Sequence, residues 1–411
     1  MIRSKSLAVT AVLGLVVVAS ASGCSSNSSG SGTSVSPSAN AVPLSPEVQA
    51  KLQKVIDDVR VRFKASGLQV GVWTGNGQWV GTSGVAKAGI TQTITPADHS
   101  RVGSITKTMT GTVVLQLIDE VKLSFDDVID KYVPGMPNGS IATIKNLIEM
   151  QSGIPTYTAD TAVVNKYSAA PTTAFTPQEL VNSVKKSPPM FAPGARFFYS
   201  NTNFVLLGMV IEKVTGKSVS DNFSERLFKP LGMNATSAPG TSTSLPDPYL
   251  SGITEQADPL GKIKNATNWN PSFAFTAGEV ISTLDDLHKW GVALGTGAGI
   301  LKDETQKMRL DSVQTTVPPN TSQRSYGMGI VNTAGWFGHT GEIPGYNTVL
   351  NYKPNTHTTI VVMVNSDLTQ GTGPNQLAPA VIGFDGLAGF MTPGGTASSS
   401  PSLSYEFLSE P

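Results

Sequence analysis

The stretch Ser104-Ile105-Thr106-Lys107 begins a predicted helix over residues 105–121 and gives the first indication of chemistry. A serine and a lysine three positions apart lie on the same face of a helix. A serine hydroxyl is a weak nucleophile that needs an adjacent base, and a lysine amine can serve when burial lowers its pKa. The helix N-terminus also offers backbone N–H groups to a developing oxyanion. The stretch is therefore a candidate nucleophile with its base.

The same spacing occurs again at Ser183-Val184-Lys185-Lys186, in a polar helix that precedes Pro188. We interpret this second copy as solvent-exposed surface, so the spacing alone does not identify a site. Two further motifs single out the first copy. Tyr199-Ser200-Asn201 stands directly before a predicted helix, and His339-Thr340-Gly341 lies in a region of predicted strands.

Together, these three motifs resemble those of the active-site serine family of class C β-lactamases and serine D-alanyl-D-alanine carboxypeptidases. Similar stretches also occur at residues 100–104, 225–236 and 326–329, and the resemblance covers roughly residues 46–390. It implies an α+β fold of the β-lactamase/transpeptidase type, with an antiparallel sheet flanked by helices and a helical subdomain.

The resemblance also implies catalytic roles for three residues. Ser104 would attack a carbonyl carbon and become acylated, while Lys107 would accept or relay the serine proton. Tyr199 would protonate the leaving group and later activate water. The chain is thus expected to be a serine hydrolase that acts through an acyl-enzyme.

Five more residues would bind and orient the substrate by the same resemblance. Asn201 would hold Lys107 and the substrate amide, and His339 would orient Tyr199. Thr340 and Gly341 would line one wall of the cleft, and the backbone N–H of Glu342 would join that of the serine in the oxyanion hole. A histidine at this place predicts that activity titrates between about pH 5 and 8.

Three departures from the family pattern are visible. The carboxypeptidases have a basic residue for the peptide's terminal carboxylate, where this chain has Ile330-Val331-Asn332. The family often has a small hydroxyl residue after Gly341, where this chain has Glu342, whose charge would oppose an anionic substrate. Both favour esters or neutral amides over D-Ala-D-Ala peptides and β-lactams. Met150 stands where relatives often carry a histidine, and no role is predicted for it.

Periodicity supports the same fold class. A helix is predicted from Ser45, as N-cap, to Gly67, and a β-hairpin follows over residues 68–85. Strands return after Gly327, with an antiparallel pair at 347–352 and 358–364, and residues 376–391 form a closing helix. Pairing between the two ends of the chain predicts an α+β protein.

Composition excludes several other classes of protein. Lys and Arg number 29 and Asp and Glu number 29, so the chain lacks the basic excess of a nucleic-acid binder. The four histidines are isolated from one another, and no Gly-rich phosphate loop is present. We therefore expect a small-molecule or peptide substrate and neither nucleic acid, cofactor nor metal.

The N-terminal segment predicts export. Residues 1–23 have a basic start and an apolar run typical of a signal peptide. Ala21-Ser22-Gly23-Cys24 resembles a bacterial lipobox, which makes Cys24 the expected lipidated residue, with ordinary secretion as the alternative. A Ser/Gly-rich linker follows over residues 24–44. The expected location is lipid-anchored at the outer face of the bacterial cell membrane.

The predicted hydrolase domain covers residues 45–391. Its sheet part is expected at about 45–125 and 270–391, its helical part at about 126–269, and a flexible tail at 392–411. The leading functional hypothesis is a hydrolase of the D-alanyl-D-alanine carboxypeptidase/β-lactamase type. An esterase of the same family and a non-catalytic binding lipoprotein on this scaffold are the alternatives.

Overall fold

The computed structural model of the chain describes residues 42–256, 261–371 and 376–391. The predicted signal peptide over 1–23, Cys24, most of the 24–44 linker and the 392–411 tail lie outside the described residues. All residues that are described belong to one compact unit. Among them, no helix is both long and apolar enough to cross a membrane.

The strands of the described chain number eleven. They are β1 Gly67–Thr74, β2 Gly77–Gly84, β3 Ser100–Arg101, β4 Ile253–Thr254, β5 Lys264–Asn265, β6 Ile281–Ser282, β7 Arg324–Tyr326, β8 Val331–Thr333, β9 Trp336–Ile343, β10 Tyr346–Lys353 and β11 Thr358–Val364. Seven of them form one sheet in the order β2-β1-β11-β10-β9-β8-β7, and β3–β6 and β4–β5 are short separate pairs.

The same residues contain ten α-helices. They are α1 Pro46–Phe63, α2 Ile105–Asp119, α3 Ile144–Ile148, α4 Thr161–Ala169, α5 Pro177–Val184, α6 Asn201–Thr215, α7 Val219–Phe223, α8 Leu284–Thr296, α9 Asp303–Asp311 and α10 Pro379–Phe390. Helices α3 to α7 follow one another without any strand of the large sheet between them.

The two ends of the domain meet in the sheet, where β1 and β11 are its second and third strands. Strand β1 lies between its hairpin partner β2 and the late strand β11, with Val70 opposite Gly81 on one side and Val362 on the other. Every pairing in this sheet is antiparallel. The predicted α+β fold, with an antiparallel sheet flanked by helices, is confirmed.

Strand β11 is buried along its whole length because helices cover both faces of the sheet. Val362 packs in a cluster with Ile56 of α1 and Phe384 of α10. Val361 points the other way and packs in the cluster that contains Trp290 of α8. A strand covered on both faces has a continuous apolar sequence rather than an alternating one.

Helix α2 runs through the interior, in contact with α6 on one side and with the sheet strand β9 on the other. Its buried threonines are satisfied by distant partners: Trp290 Nε1 donates to Thr108 Oγ1 at 2.8 Å, and Arg309 Nη1 donates to Thr112 Oγ1 at 2.7 Å. A fully surrounded helix is a rigid support for the residue at its N-terminus, which is Ser104.

Four predicted boundaries are wrong, one of them the start of the closing helix, which is Pro379 rather than residue 376. Helix α1 ends at Phe63 rather than at Gly67, because Lys64 adopts the left-handed conformation (φ 52°) and caps the helix. Helix α2 ends at Asp119, so Val121, expected on its apolar face, is 90% exposed. The late strands begin at Arg324, before Gly327.

Candidate active site

A cleft of about 460 Å³ lies at the N-terminus of α2. It is lined by six of the eight site residues predicted from the sequence: Ser104, Tyr199, Asn201, Thr340, Gly341 and Glu342. The other two, Lys107 and His339, are buried just behind its walls. The structure therefore brings three distant motifs to one place, while the catalytic roles of the residues stay predictions.

Lys107 is fully buried and faces three oxygen atoms. Its Nζ donates to Ser104 Oγ at 2.8 Å, to Asn201 Oδ1 at 2.7 Å and to the Ala277 carbonyl at 2.9 Å. The amine thus lies at hydrogen-bond distance from the candidate nucleophile, as a general base requires. Three donated hydrogen bonds need the ammonium form, whereas the neutral amine keeps two N–H groups and has a lone pair that can accept the serine proton.

The turn before Ser104 depends on a glycine. Gly103 has φ +51°, and a Cβ atom on it would lie 2.6 Å from the backbone nitrogen of Glu342. The β9 backbone therefore passes directly against the residue that precedes the nucleophile. This contact places Glu342 next to the turn that carries Ser104, and the N–H groups of these two residues are the ones predicted to form the oxyanion hole.

Tyr199 lies at the cleft wall with its ring facing the buried amine. Lys107 Nζ is 4.7 Å from the ring centroid, within the range of a cation–π contact. Only 6% of Tyr199 is exposed, although it lines the cleft. The tyrosine and the lysine therefore interact directly, and a proton on either affects the electrostatic environment of the other.

Asn201 is the first residue of α6, and a neighbouring loop fixes it in place. Its Nδ2 donates to Thr158 Oγ1 at 3.3 Å, and its backbone N–H donates to Thr156 Oγ1 at 3.3 Å. The amide oxygen is thereby directed at Lys107. Neither threonine was singled out from the sequence, because a loop position far from Asn201 carries no local signal.

Met150 contacts the segment that contains the Tyr199–Asn201 motif. The sequence did not predict this role. Its sulfur accepts a hydrogen bond from the Ser200 N–H at 3.4 Å and one from Asn203 Nδ2 at 3.6 Å. Its carbonyl accepts from the Phe198 N–H at 2.9 Å. Met150 is fully buried with φ +58°, an uncommon backbone conformation for this residue type. These contacts hold the turn that presents Tyr199.

His339 corrects a prediction. It is buried in β9, with its ring centroid 6.1 Å from that of Tyr199 and its Nε2 3.5 Å from the Tyr326 hydroxyl. Burial lowers the pKa of His339 to about 3, and the positive charge of Lys107 is the second cause of this decrease. The neutral imidazole is therefore favoured between pH 5 and 8, so His339 is not the group that would make activity titrate in this range.

Glu342 faces the cleft from strand β9. Its Oε1 accepts a hydrogen bond from Gln256 Nε2 at 2.8 Å, and Gln256 also lines the cleft. Burial and the nearby charge of Glu342 raise the pKa of Asp367 to about 8. The sequence motif predicts Glu342 as a site residue, whereas Gln256, which orients it, belongs to no motif.

Aromatic side chains form another part of the wall, and no motif of the sequence groups them. Tyr157, Tyr167, Trp269 and Phe273 all line the cleft. Tyr167 and Phe273 stack with centroids 4.1 Å apart, and the Tyr157 hydroxyl donates to the Phe273 carbonyl at 2.6 Å. This wall suits an apolar or aromatic group of a substrate.

A buried carboxyl group lies close to the loop that contacts Lys107. Glu279 is two residues beyond Ala277 and is 2% exposed, and its Oε2 has no hydrogen-bond partner. Burial raises the pKa of Glu279 to about 8, opposed by a hydrogen bond from the Gly240 backbone. Its neutral form is therefore favoured at neutral pH.

The remaining candidates lie elsewhere. Ser183 of the second Ser-x-x-Lys copy donates to the Leu180 carbonyl at 2.7 Å, and Lys186 is exposed, which confirms a surface position. His99, His288 and His357 do not line the cleft. No cluster of possible metal ligands occurs among residues 42–256, 261–371 and 376–391.

Comparisons with known proteins agree with this geometry. The Beta-lactamase family model matches residues 52–378. A D-stereospecific amidohydrolase from Streptomyces sp. is 32% identical, with a TM-score of 0.70, over 78% of this chain and 95% of its own. A D-amino acid amidase from Ochrobactrum anthropi SV3, solved with L-phenylalanine amide, is 25% identical with a TM-score of 0.67, over 78% and 91% of the two chains.

A curated relative, PbpX of Bacillus subtilis (strain 168), is 26% identical over 272 residues. The match includes 66% of this chain and 63% of PbpX. The chain therefore spans somewhat less than two thirds of the length of this relative.

Proposed function

Because this chain belongs to the Beta-lactamase family of serine hydrolases, we propose that it cleaves amide bonds of D-amino-acyl compounds through an acyl-enzyme on Ser104. The observation that carries the proposal is the 2.8 Å contact between buried Lys107 Nζ and Ser104 Oγ at the cleft. The similarity to the Streptomyces amidohydrolase supports the amide bond and the D configuration.

Acylation begins with neutral Lys107. Ser104 Oγ attacks the carbonyl carbon and passes its proton to Lys107 Nζ. The oxyanion accepts hydrogen bonds from the N–H groups of Ser104 and Glu342. Collapse of this intermediate breaks the C–N bond while the Tyr199 hydroxyl donates its proton to the leaving nitrogen. Lys107 then returns a proton to Tyr199, so the amine leaves neutral and the serine is acylated.

Deacylation uses the same groups in reverse. The Tyr199–Lys107 pair accepts a proton from a water molecule that attacks the ester carbonyl. The C–O bond to Ser104 breaks, and the serine oxygen takes the proton back from Lys107. Esters are expected substrates too, because they form the same acyl-enzyme and have better leaving groups.

Carboxypeptidase action on D-Ala-D-Ala peptides is the weaker candidate. Such peptides end in a carboxylate, and Glu342 places a carboxylate in the cleft. Two like charges at close range cost binding energy when they are partly shielded from water. The segment Ile330-Val331-Asn332 also lacks the cation that would offset this repulsion.

Hydrolysis of D-phenylalanine amide, followed by ammonia release, tests the proposal. We expect Ser104→Ala to lose activity by about 10³-fold or more. The matched control is Ser183→Ala, which removes the serine of the surface Ser-x-x-Lys copy and should leave the rate unchanged. No turnover by the wild-type protein would favour a non-catalytic binding protein, and a fully active Ser104→Ala would refute the proposed nucleophile.

We also propose that the domain is exported and held at the membrane by a lipid on Cys24. The sequence before Cys24 and the Ser/Gly-rich linker after it support this proposal. In a bacterial host, processing of the precursor should be blocked by globomycin and by Cys24→Ser. Normal processing of the Cys24→Ser precursor would refute the lipid anchor.

A further inference from the structure

The cleft has an uneven distribution of charge. Among the described residues that line it, Glu342 is the single acidic or basic side chain. Thr340 and Glu342 are two positions apart on β9, both partly exposed, with buried Gly341 between them. Alternate side chains of a strand share a face, so Thr340 and Glu342 point to the same side.

The carboxylate of Glu342 is held in position by a second residue of the cleft lining. Gln256 Nε2 donates to Oε1 at 2.8 Å, and both residues line the cleft. An ionised carboxylate has about four lone-pair sites on its two oxygens. It can therefore accept further hydrogen bonds from a bound cation besides those from protein donors.

The position of Glu342 relates this charge to the reacting bond. Its backbone nitrogen would lie 2.6 Å from a Cβ atom on Gly103, the residue before the nucleophile. The Glu342 side chain therefore begins close to the turn that carries the candidate nucleophile. The aromatic wall of Tyr157, Tyr167, Trp269 and Phe273 encloses the same cleft. A compound with an amine and an apolar side chain near its carbonyl carbon fits these groups.

We propose that Glu342 binds the protonated primary amine of the acyl donor. This inference rests on the proposed hydrolase function and specifies its substrate class. The substrates would be amides and esters of amino acids, and peptides whose first residue has a free amine and is released by the cleavage. Donors that are N-acylated, or that carry a carboxylate near the carbonyl, are excluded from efficient turnover. A hydrogen bond to a charged group discriminates by about 10- to 100-fold.

The test compares two chromogenic substrates that differ only in the amine. D-phenylalanine p-nitroanilide carries it, and 3-phenylpropionyl p-nitroanilide lacks it. We expect wild-type kcat/KM to favour the amine by about 10- to 100-fold, and Glu342→Gln to reduce this ratio to near 1. The change should appear mainly as a higher KM for the amine substrate, because the lost carboxylate contacts only the amine.

Glu255→Gln is the matched control. It removes one negative charge from an exposed position next to Gln256 but outside the cleft lining, so the ratio should stay at the wild-type value. Fluorophosphonate labelling of Ser104 shows whether each variant keeps an active nucleophile. A normally labelled Glu342→Gln with an unchanged ratio would overturn the inference alone. Absence of labelling in the wild-type protein would instead refute the hydrolase function.

Discussion

The buried carboxyl group of Glu279 predicts how the free energy of unfolding depends on pH. Its pKa is about 8 in the folded protein against 4.5 for an exposed glutamate. From pH 4.5 to pH 8 the folded state keeps the proton while the unfolded state loses it. Stability is therefore fully present below pH 4.5 and is lost as pH rises towards 8, by at most about 5 kcal/mol at 1.36 kcal/mol per pH unit.

The perturbation is Glu279→Gln, which keeps the shape of the side chain and removes its titration. The assay is urea unfolding of the wild-type protein and the variant at several pH values between 4.5 and 8.5. We expect the variant to gain stability relative to wild type as pH rises, by about 3–5 kcal/mol over this range. Other buried acids, such as Asp367 and Glu149, are present in both proteins and cancel in the difference.

The exposed residue Glu304 provides the control, since Glu304→Gln should follow the wild-type pH dependence throughout. Parallel stability curves for wild type and Glu279→Gln would refute the reasoning. They would mean that Glu279 is not held neutral in the folded protein. Glu279 lies two residues from Ala277, whose carbonyl accepts a hydrogen bond from Lys107. That result would therefore also contradict the burial of this loop behind the site.

Three further predictions concern the site. Met150→Leu removes the acceptor for the Ser200 N–H, so we expect a loss of about 1–3 kcal/mol in urea unfolding and a lower kcat; unchanged values would show that the sulfur contact is unimportant. His339→Gln should keep the wild-type pH–rate profile between pH 5 and 8, because the pKa of His339 is about 3; a shifted profile would contradict its neutrality. Gly103→Ala should impair acylation in stopped-flow labelling far more than Gly89→Ala, which has φ +82° but no atom near its Cβ position; equal effects would argue against the contact with Glu342.

The sequence was sufficient to predict the fold class and the main site motifs. Hydrophobic patterning located the β-hairpin and the last strands, because β1, β10 and β11 bury nearly all of their residues. The order of the three motifs placed Ser104, Tyr199 and His339 in one family pattern. Helix ends were less predictable, since the left-handed cap of α1 is Lys64 and not a glycine, the residue that usually indicates such a cap.

Properties that depend on burial could not be read from the sequence. His339 has an ordinary local sequence, and its low pKa arises from burial and from Lys107, which lies far away in the chain. Met150 and Gln256 act on the site through contacts between distant segments. Such contacts follow from tertiary packing, which no local motif encodes.

Covalent labelling of the protein by a fluorophosphonate, measured by intact mass and peptide mapping, tests the central claim most directly. We predict a single adduct on Ser104, absent in Ser104→Ala and formed at least about 100-fold more slowly in Lys107→Met, which removes the neighbouring base. The rate in Ser183→Ala should equal that of the wild-type protein. Labelling at another serine, or an undiminished rate in Lys107→Met, would contradict a nucleophile at Ser104 that Lys107 activates.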